Sequence, residues 1–266
     1  MPRVQVNGVE LYYELHGPAD AEVIVLSNGV LMSTASWGLQ KNALSRRHRL
    51  LLYDCRGMWQ SEHPAGPYSM EQHADDLAAL LTALGIPRAH IGGISYGGEI
   101  SLVFALKYPH MTRSLIVSSS VSHSEPVLKG QVDSWTAAAR KRDPRLLFEV
   151  TYPCNFSSAY IAANQATVQA AGDRYDRLDM DAVVELFECF QRLNITADLP
   201  HIKIPTLVMV GEQDILKGRY YSEILAREIS GAELVVVPGA GHALCLENPT
   251  VFNTLILGFV EQLSDR

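Results

Sequence analysis

The segment Gly92-Gly93-Ile94-Ser95-Tyr96-Gly97-Gly98 centres a serine in G-x-S-x-G, between an apolar β-rich run at Ala89 to Ile94 and a helix-period stretch at Gly98 to Tyr108. A serine on such a tight strand-to-helix turn stands exposed above the sheet, and residues without side chains let strand and helix pass close to it. The chemistry is nucleophilic. A phosphate-binding turn would instead need G-x-G-x-x-G early in the chain and an acid on the next strand. A serine hydroxyl attacks poorly at neutral pH, so it needs a base, and the base needs an acid to orient it. Where the serine sits on such a strand-to-helix turn, the chain order is serine, then aspartate or glutamate, then histidine. Thr206 to Val210 runs into Gly211-Glu212-Gln213-Asp214, and Leu234 to Val237 runs into Pro238-Gly239-Ala240-Gly241-His242. Both groups are expected past strand ends on the edge that carries Ser95. Asp214, further past its strand, is the expected acid, with Glu212 as local rival. Of nine histidines, His242 alone follows a buried strand through a glycine-rich turn; His73 is expected on a polar helix face, and His48, His63 and His110 in polar connections.

These groups must be held by a sheet. Pro2 to Leu15 alternates and turns at Asn7-Gly8, which predicts an antiparallel hairpin. Continuous apolar runs follow at Val23 to Leu26, Leu50 to Tyr53, Ala89 to Ile94, Ser114 to Val117, Thr206 to Val210 and Leu234 to Val237. They read as strands buried on both faces. Helix-period segments at Met70 to Leu84, Gly98 to Tyr108, Tyr220 to Ile229 and Thr250 to Leu263 alternate with them, so the expected class is α/β with a mostly parallel, doubly wound sheet. From Val121 to Pro200 no buried-strand run occurs, only helix-like blocks at Val127 to Arg142, Pro144 to Tyr152, Ser157 to Ala171 and Asp179 to Leu193. A helical cap at 121–200, inserted in a core of 1–120 and 201–266, is expected.

Composition excludes several function classes. The 266 residues are 47% hydrophobic and 19% charged, an ordinary globular usage. A net charge of −7 offers no basic excess for nucleic acid or anionic lipid. The start lacks a signal-like apolar core, and no stretch has the length of a spanning segment, so a cytoplasmic protein without membrane insertion is expected. Cys55, Cys154, Cys189 and Cys245 are scattered, which points to buried free thiols, and no metal or phosphate motif is written. No cofactor is expected. The expected partner is a small-molecule ester, and a homodimer stays open.

With G-I-S-Y-G, G-E-Q-D and G-A-G-H at their landmarks, the chain resembles the α/β-hydrolase superfamily along nearly its whole length. Asp54-Cys55-Arg56-Gly57 with Ser61 is similar to that superfamily's D-x-R-G-x-G-x-S turn, with Asp54 and Arg56 as loop braces. The resemblance implies an oxyanion hole of two backbone N–H groups, from Tyr96 and from Val30 in Ser27-Asn28-Gly29-Val30. Asn28 stands where many members carry histidine; it is assigned to substrate contact, while its amide equally suits tying the loop or favouring its turn. Local stretches resemble small carboxylesterases and 3-oxoadipate enol-lactone hydrolases, and Asn28-Gly29-Val30-Leu31 with Thr34-Ala35-Ser36-Trp37 is similar to an acyltransferase that joins hydroxyacyl chains. The implied activity is hydrolysis of carboxylic esters of short to medium acyl length. Acyl transfer or thioester release, enol-lactone hydrolysis and a signal receptor are the alternatives. Met32, Trp59, Trp135, Phe156 and Phe187 are assigned to the acyl pocket, with Phe148, Tyr160 and Phe190 as further apolar candidates. Glu99, at a helix start, is explained by the helix dipole alone.

Overall fold

Asn7 and Gly8 both take left-handed backbone, φ 43 and 73, so the chain reverses in two residues and β1 (Arg3–Val6) pairs antiparallel with β2 (Val9–His16). This computed structural model describes residues 2–264; Met1, Asp265 and Arg266, within the expected core ranges, lie outside them. Six parallel strands follow: β3 (Val23–Ser27), β4 (Arg49–Tyr53), β5 (Ala89–Ile94), β6 (Thr112–Ser118), β7 (Thr206–Gly211) and β8 (Glu233–Val237). The sheet order is β1-β2-β4-β3-β5-β6-β7-β8. Chain order reverses around β3 and β5, the place where an open α/β sheet leaves a crevice beyond its strand ends.

Between and after the strands lie α1 (Gly38–Leu44), α2 (Met70–Ala83), α3 (Tyr96–Lys107), α9 (Arg219–Glu228), α10 (Leu244–Glu247) and α11 (Pro249–Ser264). The segment between β6 and β7 carries α4 (Pro126–Arg140), α5 (Pro144–Asn155), α6 (Ser158–Ala163), α7 (Gln165–Ala171), a 3₁₀ turn (Gly172–Arg177) and α8 (Met180–Gln191). The block expected as one helix at Ser157 to Ala171 is two, broken at Asn164, whose φ of −126 leaves the helical range.

Alternation along the central strands supplies both cores. Val25, Leu51, Ile91 and Val117 pack with Leu77 and Leu81 of α2 and Ile100 and Phe104 of α3. Ile24, Leu26, Leu50 and Ile116 pack on the opposite face with Trp37, Leu44, Phe252 and Ile256. β8 departs from the expected burial on both faces: as the edge strand it leaves Leu234, Val235 and Val236 half-buried. All four cysteines are free and buried. Among the described residues no helix is long and apolar enough to cross a membrane.

His73 is not on a polar face. It is 1% exposed, with Nε2 2.8 Å from the Tyr96 hydroxyl. Burial, helped by the Arg56 charge, depresses its imidazole to about 3. A depressed histidine contributes stability above its unfolded value, near 6.5, that is lost as pH falls toward the folded value. Between pH 7 and pH 5 that loss is on the order of 2 kcal/mol. Asp54, which burial raises to about 6, titrates in the opposite sense and offsets part of the total. The difference between the native chain and His73→Gln isolates the histidine: denaturant unfolding at both pH values should show the variant losing less stability on acidification.

Candidate active site

Ser95 caps α3 in a left-handed conformation, φ 53 and ψ −120, that a residue with a side chain rarely adopts. Its surroundings over-determine that geometry. Ser95 N–H donates to Ser118 O at 2.9 Å, and Ser95 O accepts from Gly98 N–H at 2.8 Å and from the Ser120 hydroxyl at 2.9 Å. A Cβ at Gly93 would overlap the Gly97 carbonyl, and one at Gly97 would overlap that of Ser27. The G-x-S-x-G spacing is therefore steric.

Asp214 follows β7 and His242 follows β8. His242 Nδ1 lies 2.9 Å from Asp214 Oδ2, and the two residues are 5% and 6% exposed. Asp214 Oδ1 accepts the backbone N–H groups of Leu216 and Lys217 at 3.0 and 2.8 Å. Burial pushes the Asp214 carboxyl up, but the imidazole and these two donors outweigh it and hold the carboxyl below its usual value. Glu212 is exposed and accepts Gly239 N–H at 2.9 Å instead. The geometry selects Asp214 as the partner of His242.

The helix dipole alone does not account for Glu99. The residue is fully buried and binds Lys217 Nζ through both oxygens at 2.8 and 2.9 Å, because Lys217 lies in the turn after Asp214. Burial raises the Glu99 carboxyl and lowers the Lys217 ammonium, each opposed by the partner's charge.

Asn28 is corrected as well. Its Nδ2 donates to Asp54 Oδ1 at 3.0 Å and its Oδ1 accepts Trp37 Nε1–H at 2.7 Å, and the residue is fully buried. Both ends of the amide bond inside the protein and Asn28 does not line the cavity that Ser95 lines, so it ties the loop and does not face substrate. Asp54 also takes the N–H groups of Thr34 and Gln60, while Arg56 chelates Asp76. These are the loop braces expected of the pair.

A cavity of about 170 Å³ opens above these residues. Ser95, Tyr96, Val30 and His242 line it, as do Met32, Trp59, Trp135, Phe148, Phe156, Phe187 and Phe190. Tyr160 does not line it but stacks on Phe156 at 5.1 Å. Trp59 Nε1–H donates to Leu31 O at 3.0 Å, which ties the loop after β3. Arg174, in the 3₁₀ turn, donates to the Ser33 hydroxyl at 3.0 Å and lies 4.8 Å over the Trp59 ring. Glu247 joins the His242 loop to the helical segment: it accepts Gly241 N–H at 3.0 Å and the Ser157 hydroxyl at 2.6 Å. Arg174 and Glu247 carry no local signal in the sequence, since their partners are distant in the chain.

Replacing Asn28 tests its reassignment. Asn28→Ala leaves Trp37 Nε1–H unpaired in the interior and removes a donor from Asp54, so it should cost about 2 kcal/mol or more in stability. Thermal and denaturant unfolding would read this. An unaltered unfolding curve combined with a raised KM would return Asn28 to the substrate.

The comparisons with known proteins agree with this geometry. Residues 22–249 match the model of the alpha/beta hydrolase fold family. A RutD protein of Azorhizobium caulinodans, named as a candidate carbamate hydrolase, is 30% identical over 99% of both chains. The enol-lactonase of Burkholderia xenovorans superposes with a TM-score of 0.92 at 28% identity, covering 98% of this chain and 100% of that one. A thermophilic esterase of Thermogutta terrifontis does so with a TM-score of 0.90 at 25% identity, covering 99% of each. With the nucleophile turn, the parallel sheet and the family match in agreement, this chain is a hydrolase that belongs to the α/β-hydrolase superfamily.

Proposed function

We propose that this hydrolase cleaves carboxylic esters of short to medium acyl length, with Ser95 as nucleophile, His242 as base and Asp214 as its orienting acid. One observation carries the reading: the His242–Asp214 pair and the strained Ser95 meet at an apolar cavity. In this reading residues 121–200 act as a cap on a core of 1–120 and 201–266.

With Nδ1 engaged by Asp214, Nε2 is the ring nitrogen left to accept the Ser95 proton. The serine oxygen attacks the ester carbonyl, and the N–H groups of Val30 and Tyr96 hold the negative charge that develops on the carbonyl oxygen. His242 then returns the proton to the departing alkoxide as the C–O bond breaks, which leaves Ser95 acylated. Water, deprotonated by the same imidazole, attacks the acyl-enzyme, releases the acid and restores the serine. Met32, Trp135, Phe156 and Phe187 supply the apolar wall for the acyl chain. Each buried methylene contributes up to about 0.8 kcal/mol until the wall is filled.

A second reading is favoured by Arg174, a guanidinium that lines this cavity and is paired with no carboxylate among the described residues. Such a cation suits a substrate that carries its own carboxylate, as in an anionic lactone or a carbamate.

The assay is release of 4-nitrophenol from esters of graded acyl length. Ser95→Ala should lower turnover on the order of 10⁴-fold or more while folding stays near native, and a phosphonate probe should label Ser95 alone. Activity should climb with acyl length and then drop. A retained rate in Ser95→Ala overturns the reading. Faster hydrolysis of an enol-lactone or a carbamate than of every simple ester moves the assignment to the second reading, and release limited to about one alcohol per protein molecule identifies a receptor.

A further inference from the structure

Two carboxylates lie beneath the candidate base, and the proposed reaction uses one of them. Asp214 bonds His242 directly. Glu99 reaches it through its field, on the first turn of α3 behind Ser95. Lys217 compensates that second carboxylate, and it does so from within the acid loop. Its backbone N–H holds Asp214 Oδ1 at 2.8 Å while its ammonium holds both Glu99 oxygens at 2.8 and 2.9 Å. The same ammonium lies 4.2 Å over the ring of Phe190, on α8, and Lys217 lines the cavity. Glu99 also accepts Val121 N–H at 3.1 Å, where the chain leaves the sheet for the helical segment.

A buried ion pair is weak evidence for stability, since the cost of taking both charges out of water rivals their attraction. Apolar residues of similar volume would brace the loop as well. The pair's position supplies another reason for it. The charged and titratable groups around the His242–Asp214 couple are Glu99 and Lys217 below, Glu247 on the His242 loop, the thiols of Cys245 and Cys154, and Arg174 across the cavity. The two thiols are buried but neutral, so Glu99 and Lys217 are the charged members of this set that burial leaves unscreened by water.

We propose that Glu99 and Lys217 are positioning residues of the ester-cleaving site: as a pair they pin the acid loop to the nucleophile helix, and they present His242 with opposite charges whose effects cancel. The proposal rests on the reading of His242 as base. A pair that merely braced the loop would be replaceable by any contact of the same shape. A balanced pair leaves an electrostatic signature of opposite sign when either member is removed.

Glu99→Gln leaves an uncompensated cation beneath the imidazole and disfavours the imidazolium, so the acid limb of kcat/KM should move to lower pH. Lys217→Met leaves an uncompensated carboxylate and should move the limb to higher pH. The expected displacement is on the order of half to one pH unit each way, or about three- to tenfold in rate on the limb. The double variant Glu99→Gln/Lys217→Met should return the midpoint to near the native position, and Lys217→Arg should keep it there.

The same midpoints can be read without turnover, by NMR titration of the His242 imidazole in the Ser95→Ala chain, with the resonance assigned by its loss in His242→Gln. Failure of every ester as substrate would therefore sink the hydrolytic reading and leave this test intact. Should Lys217→Met fail to fold, Glu99→Gln measured against the double variant carries the same test of sign. Midpoints that stay put in both single variants, or that move in the same direction, overturn the proposal.

Discussion

Backbone crowding at Gly97 is the constraint from which the site is built. A Cβ there would overlap the carbonyls at the end of β3, and one at Gly93 would overlap the first turn of α3. The chain can turn from β5 into α3 this tightly only because neither position carries a side chain. The turn in turn forces Ser95 to φ 53, a conformation that costs on the order of 1–3 kcal/mol. That strain is held by hydrogen bonds to Ser118 and Ser120 on the neighbouring strand exit. Because β3 and β5 pair in parallel, the same contact sets the Gly29-Val30 loop beside the serine. Ser95 and the candidate oxyanion donors are thus placed by one steric condition.

A second glycine contact repeats the device for the other half of the site. At Gly211, the last residue of β7, a Cβ would overlap the carbonyls of Ala240 and Gly241. The acid loop and the histidine loop therefore lie against each other before any side chain bonds across them. Their backbone bonds, Glu212 N–H to Val237 O and Gln213 N–H to Ala240 O, complete the contact at 2.9 and 2.8 Å. The His242–Asp214 bond is then short because the main chain has already brought its ends together.

What was legible in the sequence is what local rules dictate. Gly93 and Gly97 are spaced by a turn that permits little else, Asn7-Gly8 encodes its own reversal, and the apolar runs are where the central strands lie. Long-range partners were not legible. Glu99 finds Lys217 118 positions later, and an acid on the first turn of a helix is accounted for by the dipole until that partner is known. His73 failed for the same reason, since its polar-looking face packs against Tyr96 of another helix. For Asn28 the sequence leaves substrate contact and loop-tying both open, because nothing in its neighbourhood announces Asp54 and Trp37 as partners. Edge position misled at β8, where an apolar run of central-strand character is half-buried at the sheet's margin.

The polar floor and the apolar wall of the cavity are complementary in a way that composition alone conceals. Asp54, Asn28, Trp37 and Thr34 satisfy one another below the Gly29-Val30 loop, and Glu99, Lys217 and Asp214 do the same below the histidine. Buried polar groups held by such bonds act as fixed dipoles and need little reorganisation when charge develops above them. The aromatic wall excludes water, which strengthens those dipoles by lowering the local dielectric. A wall built from Phe156, Phe187 and Trp135 can select only by size and shape, so charge in the lining comes from other residues. Lys217 is committed to Glu99, whereas Arg174 reaches the cavity with a neutral hydroxyl and a ring face as its partners. The cation that no carboxylate pairs among the described residues therefore lies on the side that the helical segment contributes, whereas Ser95 and His242 follow the strand ends.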